Sequence, residues 1–353
     1  MHWERSVNAY ERFRSHLVGT PVDRAPNFDI FMAFAAHLIG EPLRAYYTDH
    51  HVLCEANLAV AERFDIDIVQ AISDPYREAH DFGAEISFPT DDLPVCSAPL
   101  LKTEKDLLTL PTPDPATGPR MSDRLTAVSS LRASVGGEIP IMGWVEGALA
   151  EAADLRGVQS LLMDLVIRPS WVRDLLEHCV DVAITFAEAQ MDAGADIIGL
   201  GDAIASQISP QMYRTFALPY EQRIIAAIQA RGGVARLHIC GDVSHLLAEL
   251  ALTGADIIDL DWMVSIPSAL EHLREGPCIC GNIDPVAVVL NGDPQTVCAA
   301  TLETLADGRN RLFVAAGCEI PDGTPHENLD AQSAAIRAHA GGIDARTAME
   351  ERM

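Results

Sequence analysis

The chain has 353 residues, 48% of them hydrophobic, and carries 51 acidic against 25 basic residues for a net charge of −26. A field of that sign repels phosphate backbones and argues against a nucleic-acid partner. No apolar run reaches the ~18 residues of a membrane span, the opening Met1-His2-Trp3-Glu4-Arg5-Ser6 lacks the basic-then-apolar pattern of a signal peptide, and eight thinly spread cysteines suit the reduced thiols of a cytoplasmic protein.

In chain order, Val7, Tyr10, Phe13 and Leu17 recur at helical spacing, so residues 1–26 read as an N-terminal helical extension. Asn27 to Phe31 is a short apolar run, the first strand, and residues 32–64 read as largely helical. Strand runs then alternate with helical stretches: Ile66 to Ile72, Ile139 to Val145, Ala195 to Gly201, Val234 to Ile239, Ala255 to Leu260, Cys278 to Ile283 and Leu312 to Ala316. Runs apolar on both faces suit buried parallel strands. Their alternation with helices implies βαβ crossovers. Eight such units in one domain, residues 1–353, predict an α/β fold, a single (β/α)8 TIM barrel. The alternative is an open doubly wound sheet, but no Gly-x-Gly-x-x-Gly follows any strand.

Two junctions repeat. Ala193-Gly194-Ala195-Asp196-Ile197-Ile198 returns as Thr253-Gly254-Ala255-Asp256-Ile257-Ile258, each with a glycine placed to end a helix. Residues 73–138 interrupt the rhythm as an insertion after the second strand. Gly83 to Leu101 alternates loosely, as a β-hairpin or lid would, and Pro111, Pro113, Pro115 and Pro119 stiffen the connection after it. Thr324-Pro325-His326-Glu327 reads as a capping box for a last helix to about Ala340. Residues 341–353 read as a frayed polar tail.

Barrels place their chemistry at the C-terminal ends of the strands. Those ends carry Asp29, Ser73-Asp74, Trp144 and Glu146, Asp202, His238 and Cys240, Asp259 and Asp261, Asn282 and Asp284, and Cys318. His238 and Cys240 are two apart on the fifth strand and face the same way. Cys318 closes the eighth strand, across the mouth. Singly, His238 reads as a hydrogen-bonded core histidine and Cys318 as a small buried side chain. Together, flanked by Gly241 and Gly317, they give one nitrogen and two sulfurs with a fourth position open, the pattern of a catalytic zinc site. Water, a substrate thiolate or a rim carboxylate such as Glu146 would fill that position.

Cys278 and Cys280 are rival ligands, set before a strand end where core packing accounts for them. Arg236 shares the face of His238 and is expected to pair with Asp74 or Asp202, the alternative being to hold an anionic substrate group. Of Asp259 and Asp261, one is expected to orient a ligand and the other to cap the next helix. Asp74, Glu146 and Asp202 are the catalytic candidates; Asp29, Asp261 and Asn282 are the candidates for holding a cofactor. No Gly-x-Ser-x-Gly elbow or Walker loop is present.

These residues, with Gly19-Thr20-Pro21-Val22-Asp23-Arg24-Ala25-Pro26, Gly83-Ala84-Glu85-Ile86-Ser87-Phe88, Gly281-Asn282-Ile283-Asp284-Pro285 and Thr324-Pro325 before Glu327-Asn328, make the chain resemble the uroporphyrinogen decarboxylase superfamily over nearly its whole length. The resemblance implies a (β/α)8 barrel. Decarboxylases of that superfamily carry a Met-Arg-Gln-Ala-Gly-Arg-Tyr segment after the first strand. Here the stretch Phe31 to His37 holds no arginine, although Asp74 matches the aspartate that faces the pyrrole nitrogens.

A second branch, the cobamide-dependent methyltransferases such as the methylcobamide:coenzyme M enzymes, carries His-x-Cys and a distant Gly-Cys that bind zinc. His238, Cys240 and Cys318 match it residue by residue. That branch implies Zn2+, a methylated corrinoid (methylcobamide) carried by a partner corrinoid protein, and a small thiol such as coenzyme M or homocysteine. The thiol loses its proton at zinc and takes the methyl group from methyl-Co(III), leaving Co(I). The alternatives are a metal-free uroporphyrinogen-type decarboxylase acting through Asp74, a demethylase-side enzyme loading a corrinoid protein from a methoxylated or methylamine-like donor, and a non-catalytic zinc-binding partner. The sequence leaves a homo-oligomer open.

Overall fold

The computed structural model describes residues 7–273 and 276–341. Nine strands occur among them: β1 (Val69–Gln70), β2 (Ile86–Ser87), β3 (Val95–Cys96), β4 (Ile141–Glu146), β5 (Ile197–Gly201), β6 (Val234–His238), β7 (Ile257–Leu260), β8 (Cys278–Ile283) and β9 (Leu312–Ala316). Seven form one sheet in the order β1-β4-β5-β6-β7-β8-β9, and every pairing is parallel. Each of the seven falls on a predicted run. Their residues are almost all buried on both faces, which is why no polar alternation marks them in the sequence.

The predicted first strand makes one bridge, Asn27 to Val314, instead of a regular ladder. Phe28 N donates to Val314 O and Val314 N to Pro26 O, both at 2.8 Å. On the other edge Asp67 N donates to Asn27 O at 2.9 Å. The segment thus lies between β9 and the residues leading into β1, and the sheet curls into a distorted TIM-like barrel. The ladder is thin here for chemical reasons. Pro26 has no N–H to give, and the Asp29 carboxylate, not a backbone carbonyl, accepts from Ala316 N at 2.6 Å.

The repeated junctions do equivalent work. Gly194 and Gly254 both take positive φ, 117° and 80°. The aspartates that follow each accept from the first residues of a neighbouring strand, Asp196 from Ile141 N at 2.9 Å and Asp256 from Ala235 N at 2.8 Å.

Helix Ala9–Leu17 closes the N-terminal end of the barrel. Phe13 stacks on Phe28 at 5.7 Å, and Phe28 meets Phe313 at 4.6 Å. All three are fully buried, a contribution of roughly 2–3 kcal/mol each. With that end plugged, the strands' C-terminal ends form the open mouth.

The 73–138 segment carries the expected hairpin, with Ile86 opposite Cys96 and Ser87 opposite Val95. It also holds helices Arg77–Phe82 and Pro119–Val135. His37 ties the hairpin tip to the loop after Cys318, at 3.4 Å from Asp91 and 2.9 Å from Asp322. The last helix is His326–Gly341. Thr324 Oγ1 donates to Pro321 O at 2.7 Å instead of capping it. Residues 342–353 of the expected tail and residues 1–6 lie outside the described residues.

Candidate metal centre

Strand β6 ends at His238, and the chain then bends so that Cys240 comes back beside the imidazole. His238 Nε2 lies 3.0 Å from Cys240 Sγ and 3.9 Å from Cys318 Sγ. The two sulfurs are 3.7 Å apart. Tetrahedral zinc at ordinary bond lengths sets S···S at ~3.8 Å and N···S at ~3.5 Å. The donor set and its spacing therefore fit zinc. His238 is buried and both cysteines are half-buried, so the triad is open on one side.

The groups behind the triad are fixed. Asp259 Oδ2 lies 2.8 Å from His238 Nδ1. Both Asp259 oxygens accept from Arg236 Nε, at 2.8 and 3.1 Å. Arg236 also reaches Phe28 O and Cys280 Sγ, each at 3.3 Å. Burial works to raise the Asp259 carboxyl, but Arg236 and His238 outweigh it and hold the group below the usual carboxylate range. An anionic Asp259 accepts a hydrogen bond from Nδ1–H, the tautomer that turns the Nε2 lone pair toward a metal. The expected partners of Arg236, Asp74 and Asp202, are both elsewhere. Register decides this: Arg236 pairs with Ile257 and Leu237 with Ile258, which brings Asp259 alongside.

Asp261 lies between the two cysteine loops, bonded to one and packed against the other. Its Oδ2 accepts from Gly241 N and its Oδ1 from Trp262 N, each at 2.7 Å. A Cβ on Gly317 would stand 2.5 Å from Asp261 Oδ1 and 2.6 Å from Trp262 N. Glycine is required there by that close approach. Within the triad, the Cys240 thiol and His238 both donate to Cys318 and draw its thiol down to about 4 against the effect of burial. The same hydrogen bond, with burial, pushes Cys240 up.

Other rim candidates fall into different surroundings. Glu146 shares the register of the triad, since Glu146 pairs with Gly201 and Gly201 with His238. Its Oε1 accepts from Arg77 at 2.9 Å and from Trp144 Nε1 at 3.1 Å. Burial raises its carboxyl to about 7. Asp74 is buried in an ion pair with Arg120, which outweighs burial and keeps it below the usual carboxylate range. Asp202 is fully buried and stands on the opposite strand face to Gly201, against Gly147 at the start of helix Ala148–Arg156. Burial, then Glu221 and Glu146, push it well above the usual carboxylate range. Asp29 closes the sheet through Ala316, and burial raises it to about 6. Asn282 donates to Val264 O at 2.6 Å on the wall of a surface cavity of about 450 Å3 that Trp262 and Asp284 also line.

The family profile described as Uroporphyrinogen decarboxylase (URO-D) matches residues 8–339. The chain belongs to the URO-D family. One URO-D relative, the methylcobamide:CoM methyltransferase MtbA of Methanosarcina mazei, is 32% identical over 90% of this chain and 94% of its own length. A uroporphyrinogen decarboxylase of Prochlorococcus marinus is 32% identical over 56% of this chain and 58% of its own length. A solved methyltransferase from Methanosarcina mazei superposes with TM-score 0.86 at 26% identity, covering 94% of this chain and 98% of that one. The likeness to the two methyltransferases thus covers nine-tenths or more of this chain. No helix among the described residues is long and apolar enough to cross a membrane.

Arg77 and Glu319 escaped the sequence reading, and Trp144 entered it only as a strand-end residue with no role. Arg77 is fully buried against Glu146. Trp144 packs edge-on to His238 at 5.8 Å. Glu319, next to Cys318, accepts from Ala33 N at 2.9 Å. Arg77 left a faint signal, an arginine three residues after a rim aspartate. Trp144 was legible at its strand end, but nothing in the sequence reports its packing on His238.

Proposed function

We propose that this chain is a zinc-dependent methyltransferase that moves a methyl group from a methylated corrinoid, carried by a partner protein, to a small thiol. The observation that carries the reading is the meeting of His238 Nε2, Cys240 Sγ and Cys318 Sγ from two distant stretches at one barrel mouth. The names of the full-length relatives support the corrinoid and thiol parts. His238, Cys240 and Cys318 would hold the ion and leave one position for substrate. Zinc bound there supplies a Lewis acid that makes a thiol a thiolate at neutral pH.

The rest is done by the chain itself. Asp259 fixes the His238 tautomer, and Arg236 fixes Asp259. Asp261 holds the Cys240 loop through Gly241 N and packs against Gly317 of the Cys318 loop. Phe13, Phe28 and Phe313 close the lower end of the barrel, which leaves the mouth as the open end. A methylated corrinoid would be presented at that open mouth by its carrier protein.

The decarboxylase reading is the weaker one. Its aspartate, Asp74, is engaged by Arg120, and the Phe31 to His37 stretch has no arginine to bind substrate carboxylates. The test is demethylation of methylcobalamin, followed by its absorbance, with a panel of thiols that includes coenzyme M and homocysteine. Zinc-loaded protein is expected to demethylate it with at least one thiol, and Cys240→Ser to lose that activity. Zinc-loaded protein inert with every thiol tried would sink the thiol reading.

A further inference from the structure

Two of the cysteines are placed in a way the other six are not. All eight are free thiols. Cys54, Cys179, Cys278, Cys280 and Cys298 are buried, and Cys96, Cys240 and Cys318 are half-buried. Cys96 sits on the hairpin, where its thiol donates to Ala98 O at 3.3 Å. Among the described residues only Cys240 and Cys318 bring two sulfurs into hydrogen-bonding contact, at 3.7 Å, from stretches 78 residues apart.

The pair can close without disturbing the barrel. Strand β6 ends at His238 and β9 at Ala316, so each cysteine lies two residues beyond its ladder. A disulfide bond is about 2.05 Å long, so the sulfurs must approach by roughly 1.7 Å. A change of rotamer about the Cα–Cβ bond of either cysteine carries its sulfur further than that. The triad is open on one side, so a small oxidant reaches both sulfurs from the mouth.

We propose that Cys240 and Cys318 are a redox pair, which a peroxide links in a disulfide that cannot hold a metal and which a dithiol reductant restores. This adds regulation to the proposed site and rests on its metal reading. The step balances. Two S–H bonds and the peroxide O–O bond break, one S–S bond forms, and the two protons leave in two molecules of water. Each sulfur gives up one electron and the peroxide takes two. The path runs through a sulfenic acid on one cysteine, which condenses with the thiol of the other. An isolated cysteine would go on to the irreversible sulfinic acid, but here the second sulfur stands close enough to intercept it. Metal binds the thiolate form of cysteine, and a disulfide offers none. His238 is then the one remaining ligand of the triad, and thiol activation stops.

The test treats metal-free and zinc-loaded protein with a small excess of hydrogen peroxide under argon. Thiols are counted after denaturation, free zinc is read with a chromogenic chelator, and an unreduced digest is mapped by mass spectrometry. Metal-free wild type is expected to fall from eight thiols to six and to yield one linked peptide pair, Cys240 with Cys318. On an unreduced gel the oxidised chain should run ahead of the reduced one. Zinc-loaded wild type should release one zinc for each linked pair, and a dithiol reductant followed by zinc should restore both counts. Cys280→Ala should react as wild type does. Metal-free Cys240→Ser should give no linked pair and take Cys318 to the sulfinic acid. Sulfinic acid in wild type without a linked pair would overturn the proposal. So would Cys240 or Cys318 linked to any other cysteine, or a linked pair that keeps its zinc. Protein that takes up no zinc at the outset would instead remove the metal reading, whereas the metal-free arm still decides whether the two sulfurs pair.

Discussion

Asp259 Oδ2 stands 2.8 Å from His238 Nδ1 and is itself gripped by Arg236. This carboxylate–imidazole pair lies behind the nitrogen that faces the two cysteine sulfurs. Partners of that kind tune a ligand's basicity and orientation, and their loss typically costs 10–100-fold in metal affinity. Asp259→Ala is therefore expected to weaken zinc binding by about one to two orders of magnitude. Competition with a chelator of known affinity checks this.

Cys280 separates a metal site from a mere concentration of thiols. Its sulfur takes an N–H from Arg236 at 3.3 Å and is fully buried. Cys280→Ala is expected to keep full zinc stoichiometry, whereas Cys318→Ser loses it. Metal analysis of the two purified variants decides. A Cys280→Ala protein lacking zinc would show that the ligand set has been drawn wrongly.

Gly317 tests the bracing of the cysteine loops. A methyl group there would collide with Asp261 Oδ1 and with the backbone of Trp262. Gly317→Ala is expected to push the Cys318 loop away from Cys240. Zinc content should fall well below one per chain, while far-ultraviolet circular dichroism stays that of the wild type, since the barrel ladder ends at Ala316.

The buried acids make a prediction about pH. Burial raises both Glu146 and Glu221 to about 7, above the ordinary glutamate value of ~4.3. Their folded pKa values are the higher ones, so the folded state binds more protons and unfolding releases them. That stability is fully present below the unfolded value and is lost as pH rises through the folded one. The slope is roughly 1.4 kcal/mol per pH unit for each proton. The melting temperature is therefore expected to fall between pH 5 and 7. Glu221 accepts from the Tyr213 hydroxyl, a bond a glutamine can keep. Glu221→Gln should flatten the decline, and an unchanged slope would remove Glu221 as a source.

Much of the fold was legible because buried parallel strands are long apolar runs and helices restart between them. The seven strands of the sheet appear where those runs lie. The first strand was legible only as an apolar run. Its pairing depends on Pro26 and on the Asp29 side chain, which no period in the sequence reports. The triad was legible because the His-x-Cys pair and Cys318 fall just at the ends of apolar runs. Cys240 nevertheless lies two residues beyond β6 and Cys318 two beyond β9, and it is the bend after His238 rather than strand alternation that brings the sulfur back. The partner of Arg236 was not, because it depends on the β6–β7 register. The pairing of Glu146 with Arg77 was hidden for a similar reason, as it joins two elements 69 residues apart.

The central claim is that one ion sits among His238, Cys240 and Cys318 with a position open to a thiol. X-ray absorption at the zinc edge of zinc-loaded protein, before and after coenzyme M or homocysteine is added, tests it most directly. The account predicts two sulfur and two lighter neighbours at first, at about 2.3 and about 2.0–2.1 Å. It predicts three sulfurs once the thiol binds. A zinc shell without sulfur, or one already holding four protein ligands that the thiol leaves unchanged, would contradict it.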